Sequence, residues 1–412
     1  MDTIEGKIYG LEKNERLFSP HQPSLLVSVF VSVFLVSAPL YGSQERIAAS
    51  DHGAFQDRIL QGITLIYNRQ LTEAEEEFHS FIQDNPDDPA GYFYLAMVSW
   101  SYLSNGFWSD TVVKEYGQRI DKAISVAKKG IRNSSRPDSF AYFYLGGALG
   151  FKGRFALMRQ KWLSSFLLAV EAIDALKTCQ ELDPENKDVL LGIGSFDYYT
   201  ARMSGVLKFL SYLLLHKSSA EEGLRKLNQA SDEAIYSSTE AKSLLLHIYL
   251  FMEEDNLKAL PIAKDLATRF SENPRYKYLE GLCYLITGQE EEFREAVHYL
   301  YGRGTPSEFQ RGLWKRRAMY LEASEALFRE AGPKARHILD HIISMADTAT
   351  DPAMIAWPIL KKGMAFDLEG NRDSALRLYR YVQNMENGAG AQFLAEKYTE
   401  NPVEKKDPFL GY

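Results

Sequence analysis

Cysteine is almost absent from this chain: 412 residues contain two, Cys179 and Cys283. They fit no C-x-x-C or Cys/His ligand spacing, which excludes a zinc knuckle, a dithiol redox motif and a disulfide framework. Both stand in apolar helical runs and read as small core residues. A surplus of positive charge is missing too. Lys and Arg number 47 against 55 Asp and Glu, a net charge of −8, so a dedicated nucleic-acid surface is not expected. No alternating strand run bounded by hairpin turns occurs, which excludes a β-sandwich or barrel. Neither a P-loop nor a nucleophile elbow is present. "GIG" at 192–194 lacks a third glycine and a preceding strand, and His337 and His341, four apart, lack a third ligand and read as a solvated helix face. No catalytic residue, metal site or cofactor is therefore expected, and the chain reads as a non-enzyme.

Long hydrophobic runs are equally scarce. The longest, Leu25 to Leu40 (LLVSVFVSVFLVSAPL), suits a signal-peptide core better than a bilayer crossing, which takes about 20 residues. The segment before it carries Lys7, Lys13 and Arg16 against Asp2, Glu5, Glu12 and Glu15, three positive charges to four negative. That leaves cleavage and retention as an anchor both open. Residues 1–43 are expected to be a signal peptide or N-terminal membrane anchor. The remainder is expected to be exported, either periplasmic or anchored to the membrane facing the periplasm.

What the chain does contain is helical periodicity from Asp57 onward, punctuated by Pro and Gly. In "LQGITLIYNRQLTEAEEEFHSFIQDNPDDP", Gly62, Ala74, Phe78 and Pro86 fall at offsets 0, 12, 16 and 24. Near the C-terminus Gly363, Phe366, Gly370, Ala375, Tyr379 and Val382 repeat the pattern, and Ala172, Leu176 and Pro184 give a third half-unit. Small residues let two antiparallel helices approach, an aromatic ring fills the space beside them, and proline ends the second helix. This pattern resembles the tetratricopeptide repeat of exported bacterial proteins, and the resemblance covers most of 57–388. It implies an all-α, right-handed superhelical solenoid of about eight antiparallel helix hairpins over 44–388, followed by a capping helix and tail at 389–412. It also implies a module that binds a protein or peptide partner rather than one that catalyses a reaction.

The tetrapeptide Tyr-Phe-Tyr-Leu occurs at Tyr92 and again at Tyr142, in the first helices of two successive units. In the family, positions 5, 9, 12 and 13 of first helices face the concave side. Carried onto this chain they give Phe93, Met97 and Trp100, then Phe143 and Phe151, then Tyr198 and Tyr199, an aromatic groove for a protein or peptide partner. From Arg154 to Leu182 no Gly or Pro occurs, so one projecting helix or two bent ones are expected. At its start Arg154, Arg159, Lys161 and Trp162 form a basic-aromatic patch, either a rim buttress or a partner site. Val206 to Leu215 (VLKFLSYLLL) is apolar nearly all round, which suits burial or contact with a membrane surface. The expected function is a scaffold of the cell envelope holding a partner in its groove. The alternative is a membrane- or lipid-associated repeat protein using 206–215.

Overall fold

Glycine and aromatic residues meet at the heart of each well-formed hairpin. A Cβ on Gly62 would lie 2.3 Å from the Phe78 ring, and one on Gly363 would lie 2.4 Å from the Tyr379 ring. Each glycine thus makes room for an aromatic side chain that is itself fully buried. Burying one such ring stabilises the fold by about 1.5–3 kcal/mol. The computed structural model describes residues 49–409 except 106, 136, 160, 203–218, 303–311, 348, 406 and 408. The apolar 206–215 segment and the N-terminal Leu25–Leu40 run lie outside the described residues.

Among the described residues there are seventeen helices and no strand. α1 (Ala49–Tyr67) pairs with α2 (Leu71–Asp84), and α3 (Pro89–Ser104) with α4 (Asp110–Asn133). α5 (Ser139–Met158) pairs with α6 (Trp162–Leu182), and α7 (Val189–Ala201) with α8 (Ala220–Glu233). α9 (Ser238–Phe251) and α10 (Asn256–Arg269) form the fifth hairpin, α11 (Pro274–Thr287) and α12 (Glu290–Gly302) the sixth. α13 (Leu313–Phe328) with α14 (Gly332–Met345) and α15 (Ala353–Leu368) with α16 (Arg372–Gln383) complete eight, and α17 (Ala391–Glu400) packs on the last. Each hairpin also packs on the next, which makes the fold a helical solenoid.

Caps explain where many of the helices begin. Asp88 and Asp138 accept hydrogen bonds from the backbone N–H groups of Ala90 (2.8 Å) and Phe140 (2.9 Å), so α3 and α5 start alike. Asn273 does the same for α11, where Pro274 occupies the first helical position. The second and third hairpins are enlarged: α4 has 24 residues and α6 has 21, against 14 in α2. The long α4 of the second hairpin accounts for the fifty-residue spacing of Tyr-Phe-Tyr-Leu.

The uninterrupted 154–182 stretch resolves into two helices. Lys161 N–H reaches back to the Ala156 carbonyl (2.9 Å) and closes α5, after which α6 starts at Trp162. The break folds α6 back along α5, where a Cβ on Gly146 would lie 2.6 Å from Leu176.

Hairpins far apart in the chain meet. Tyr67, on α1, donates its hydroxyl to Glu240 on α9 (2.9 Å), and Asn273 donates to the Tyr67 carbonyl (2.8 Å). Arg275 donates to the Ser104 carbonyl (2.6 Å) and Arg317 to the Asn105 carbonyl (3.0 Å). Asn387 donates to the carbonyl of Trp108 (3.0 Å), and Phe409 stacks on Phe251 with ring centroids 5.3 Å apart. The first and second hairpins are therefore bonded to the fifth, sixth and seventh and to the segment after the eighth. The first helices line the inside of a closed ring, and α3, α5, α9, α13 and α15 are buried on nearly every face.

Candidate functional site

The residues expected to line an open groove are core residues. Phe93, Met97 and Phe143 are fully buried, as is Tyr198, and Trp100, Phe151 and Tyr199 are at most 2% exposed. The expectation of an accessible aromatic groove is corrected accordingly. Closure of the ring is the physical cause, because inward-facing side chains meet one another rather than solvent. Phe151 packs edge-on against Phe93 (5.8 Å) and Trp100 (5.5 Å), joining α3 to α5. The Tyr198 hydroxyl reaches Glu253, and its ring lies 4.3 Å beneath the Arg202 guanidinium.

The basic-aromatic patch is divided by the α5–α6 turn. Arg154 points inward and stacks 5.1 Å over Trp100, and burial lowers its pKa to about 10. Arg159 and Lys161 are exposed in the turn, and Trp162 packs against Phe393 of α17 (5.4 Å). The four residues form no common surface. Both cysteines are buried, with their thiols pushed up to about 12 by desolvation, which makes them inert core residues. His337 and His341 are both exposed, and Asp340 between them pairs with Lys362. Among the described residues no group of His, Cys, Asp and Glu is placed to hold a metal ion.

Ring closure leaves a chamber at its centre. One cavity of about 100 Å³ lies between the end of α3 and helices α11, α13 and α15. Trp108, Trp314 and Trp357 wall it, and Arg275, Arg317, Asn105 and His247 supply its polar atoms. A smaller cavity of about 50 Å³ adjoins it through Asn105, His247 and Arg275, and is bounded by Met97, Trp100 and Glu240. Met97 and Trp100, two of the expected groove residues, thus do face the interior space. Four of the five tryptophans in the chain line these two cavities.

The electrostatics of the chamber are lopsided. Asp351 is buried between Arg316 (2.7 Å) and Arg317 (2.9 Å), which hold its carboxyl below the usual range against the opposing pull of burial. Glu240 is engaged by Tyr67 and lies within the field of Arg154. Arg69, in the α1–α2 turn, has its pKa lowered to about 10, chiefly by burial and further by Arg317 and Arg275. The charged residues that line the two cavities are Arg275 and Arg317 against Glu240, with Asp351 behind Arg317. His247 adds no charge. Its Nδ1 donates to the Ser243 carbonyl (2.8 Å), its Nε2 accepts from Arg275 (3.5 Å), and desolvation with the Arg275 charge lowers its pKa to about 3.

A second feature lies on the outside. On α16 and at its C-terminal end, Arg377, Arg380, Tyr381 and Asn384 are exposed and, with half-buried Met385, line a shallow hollow of about 400 Å³. Tyr381 is 59% exposed. Helical spacing (377, 380, 381, 384) puts these side chains on one face, opposite buried Ala375, Tyr379 and Val382.

No family model matches this chain, and no curated protein does. Among solved structures, the tetratricopeptide domain of P58(IPK) aligns with 84% of this chain and 97% of its own, at 16% identity and a TM-score of 0.22. The structure of Naa15/Naa10 bound to HypK-THB aligns with 84% of this chain at 12% identity and a TM-score of 0.25; the match spans 62% of that chain. Superpositions this loose add nothing to what the hairpins themselves display. Gly62 under Phe78 and Gly363 under Tyr379 show how closely the paired helices approach. The chain is an all-α solenoid of antiparallel helix hairpins. Its departure from a plain array of such repeats is the closed ring, which turns a concave face into a core.

Proposed function

We propose that this tetratricopeptide-type solenoid is a non-enzymatic scaffold of the cell envelope that binds an acidic protein partner on the outer face of its eighth hairpin. The observation that carries this reading is Tyr381, 59% exposed and flanked by Arg377 and Arg380. Tyr, Arg and Met are enriched at protein interfaces and dominate their hot spots. Arg377 is held by Ser374 (2.8 Å). Neither arginine has a carboxylate within ion-pair distance among the described residues, although the chain as a whole carries a net charge of −8. An acidic segment on the partner is the complementary surface.

Capture from solubilised cell envelopes tests this, with the full chain as bait beside an Arg380→Glu/Tyr381→Ala variant. The expected result is a protein that binds the first bait, weakens with rising salt, and binds the variant at least about tenfold less tightly. Equal retention on both baits, with both folded, removes the α16 face from the reading.

Export is the second half of the proposal, and it rests on Leu25–Leu40 followed by Gly42 and Ser43. Among the described residues no helix is long and apolar enough to cross a membrane, so that N-terminal stretch is the element left to direct the chain. Cell fractionation checks it: the chain should be found in the envelope fractions, shortened by about 43 residues if the leader is cleaved. Recovery of the whole chain from the cytosol would count against export.

A further inference from the structure

The central chamber is separate from the α16 face, and its chemistry is more specific. We propose that it binds a free short-chain carboxylic acid, with the carboxylate held by Arg275 and Arg317 and the aliphatic end against Trp314, Trp357 and Met354.

Charge is the first argument. Arg317 shares Asp351 with Arg316, so the triad already has more guanidinium than carboxylate. Arg275 has no carboxylate within ion-pair distance among the described residues; its donors go to the Ser104 carbonyl and to neutral His247. Arg69 Nη1 is inaccessible to solvent and has no hydrogen-bond partner. Uncompensated buried cations are costly, and a fold relieves them with a counter-charge or removes them. An anion in the cavity supplies a counter-charge to Arg275 and Arg317, which line it, and guanidinium groups match a carboxylate in geometry as well as sign.

Size and shape supply the second argument. An engineered apolar cavity of about 150 Å³ accommodates benzene, so a cavity of about 100 Å³ takes an acid of roughly three carbons. Native interiors rarely leave such a space beside tryptophan. The walls grade from wet to dry: Asn105, Arg275 and Tyr278 are half-buried, whereas Trp314, Arg317 and Trp357 are buried. A small molecule would enter beside the former and lodge against the latter. Asn105 lines both cavities, and its Oδ1 is buried without a donor. A hydroxyl on the acid would satisfy it, which makes lactate the probe of choice.

The test is the melting midpoint of the full chain in lactate, in lactamide, and in inorganic phosphate matched for ionic strength, for wild type, Arg275→Gln and Ala353→Leu. Ala353 lines the cavity, and the added side chain takes up its space while leaving the arginines in the sequence. The expected result is a saturable rise with lactate in the wild type, little or none with lactamide or phosphate, and loss of the lactate rise in both variants. Ala353→Leu keeps the outcome readable if Arg275→Gln folds poorly, because filling a void tends to raise the melting point. An equal rise with lactamide overturns the role of the arginines, and an equal rise with phosphate reduces the effect to general anion screening. A lactate response retained by Ala353→Leu places the binding elsewhere and overturns the site.

Discussion

Gly223→Ala should destabilise the protein by about 3 kcal/mol or more, the largest loss expected from adding one methyl group. A Cβ at Gly223 would stand 2.4 Å from the Tyr198 backbone nitrogen, 2.7 Å from the Gly194 carbonyl oxygen and 2.7 Å from the Tyr198 Cα. These are backbone atoms of α7, so no rotamer change relieves the clash and α7 and α8 must move apart. The neighbouring glycines should rank below it. At Gly194 the added carbon would meet Lys226 Cβ at 2.9 Å and the Gly223 carbonyl at 3.0 Å, while at Gly192 it meets the tip of the Leu176 side chain, which can swing away. Gly117, inside α4 with nothing within 4 Å, is the control. There alanine should stabilise by about 0.5–1 kcal/mol, since glycine weakens helix interiors. Denaturant midpoints of the four variants check the order. A Gly223→Ala protein as stable as wild type would rule out the close approach of α7 and α8.

Acid should weaken the protein through His247. In the fold its pKa is lowered to about 3, chiefly by burial and also by Arg275, with Arg154 adding to the effect; in the unfolded chain it takes the ordinary value of about 6.5. Between those values the unfolded chain binds a proton that the folded one refuses. Stability is therefore lost as pH falls through that window, at about 1.4 kcal/mol per pH unit. From pH 6.5 to 5 this single group accounts for about 2 kcal/mol. His247→Gln keeps an acceptor for Arg275 and removes the titration. Its denaturant midpoint should fall less than that of the wild type between pH 7.5 and 5, by the equivalent of about 2 kcal/mol. Asp88 works in the opposite direction, since burial raises its carboxyl to about 6, but it is common to both proteins and cancels. Parallel acid losses in the two proteins would show that His247 is solvated and that the chamber is open to water.

The hairpins were legible in the sequence because their packing is local. Gly62, Ala74 and Phe78 must stand at fixed offsets to let two adjacent helices touch, and that offset survives as a pattern. The break between α5 and α6 left no trace, as neither Gly nor Pro marks it and Lys161 closes the helix through a backbone hydrogen bond. Ring closure was also hidden. Tyr67 with Glu240, and Arg317 with Asn105, are 173 and 212 residues apart, and no periodicity encodes such contacts. One signal did exist. α3 and α5 are apolar on every face, whereas a helix bordering an open groove would keep a polar stripe there. Met97 and Trp100, expected to meet a partner in an open groove, are buried and border the smaller cavity instead. Lone charges inside such helices, such as Arg154, Arg317 and Lys361, were the remaining clue to a polar centre.

The bond from Asn273 to the Tyr67 carbonyl joins residues 206 positions apart, and this changes how the chain must come together. An ordinary solenoid folds piecemeal, because each repeat needs only its neighbour. Here the first hairpin has its α1 end completed by α9 and α11, which leave the ribosome on the order of 10–40 s later at 5–20 residues per second. During that interval the ends of α1 and α3 stand without the partners that Asn273 and Arg275 later supply. The contacts of Asn387 with Trp108 and of Phe409 with Phe251 form last, since they await the final residues of the chain.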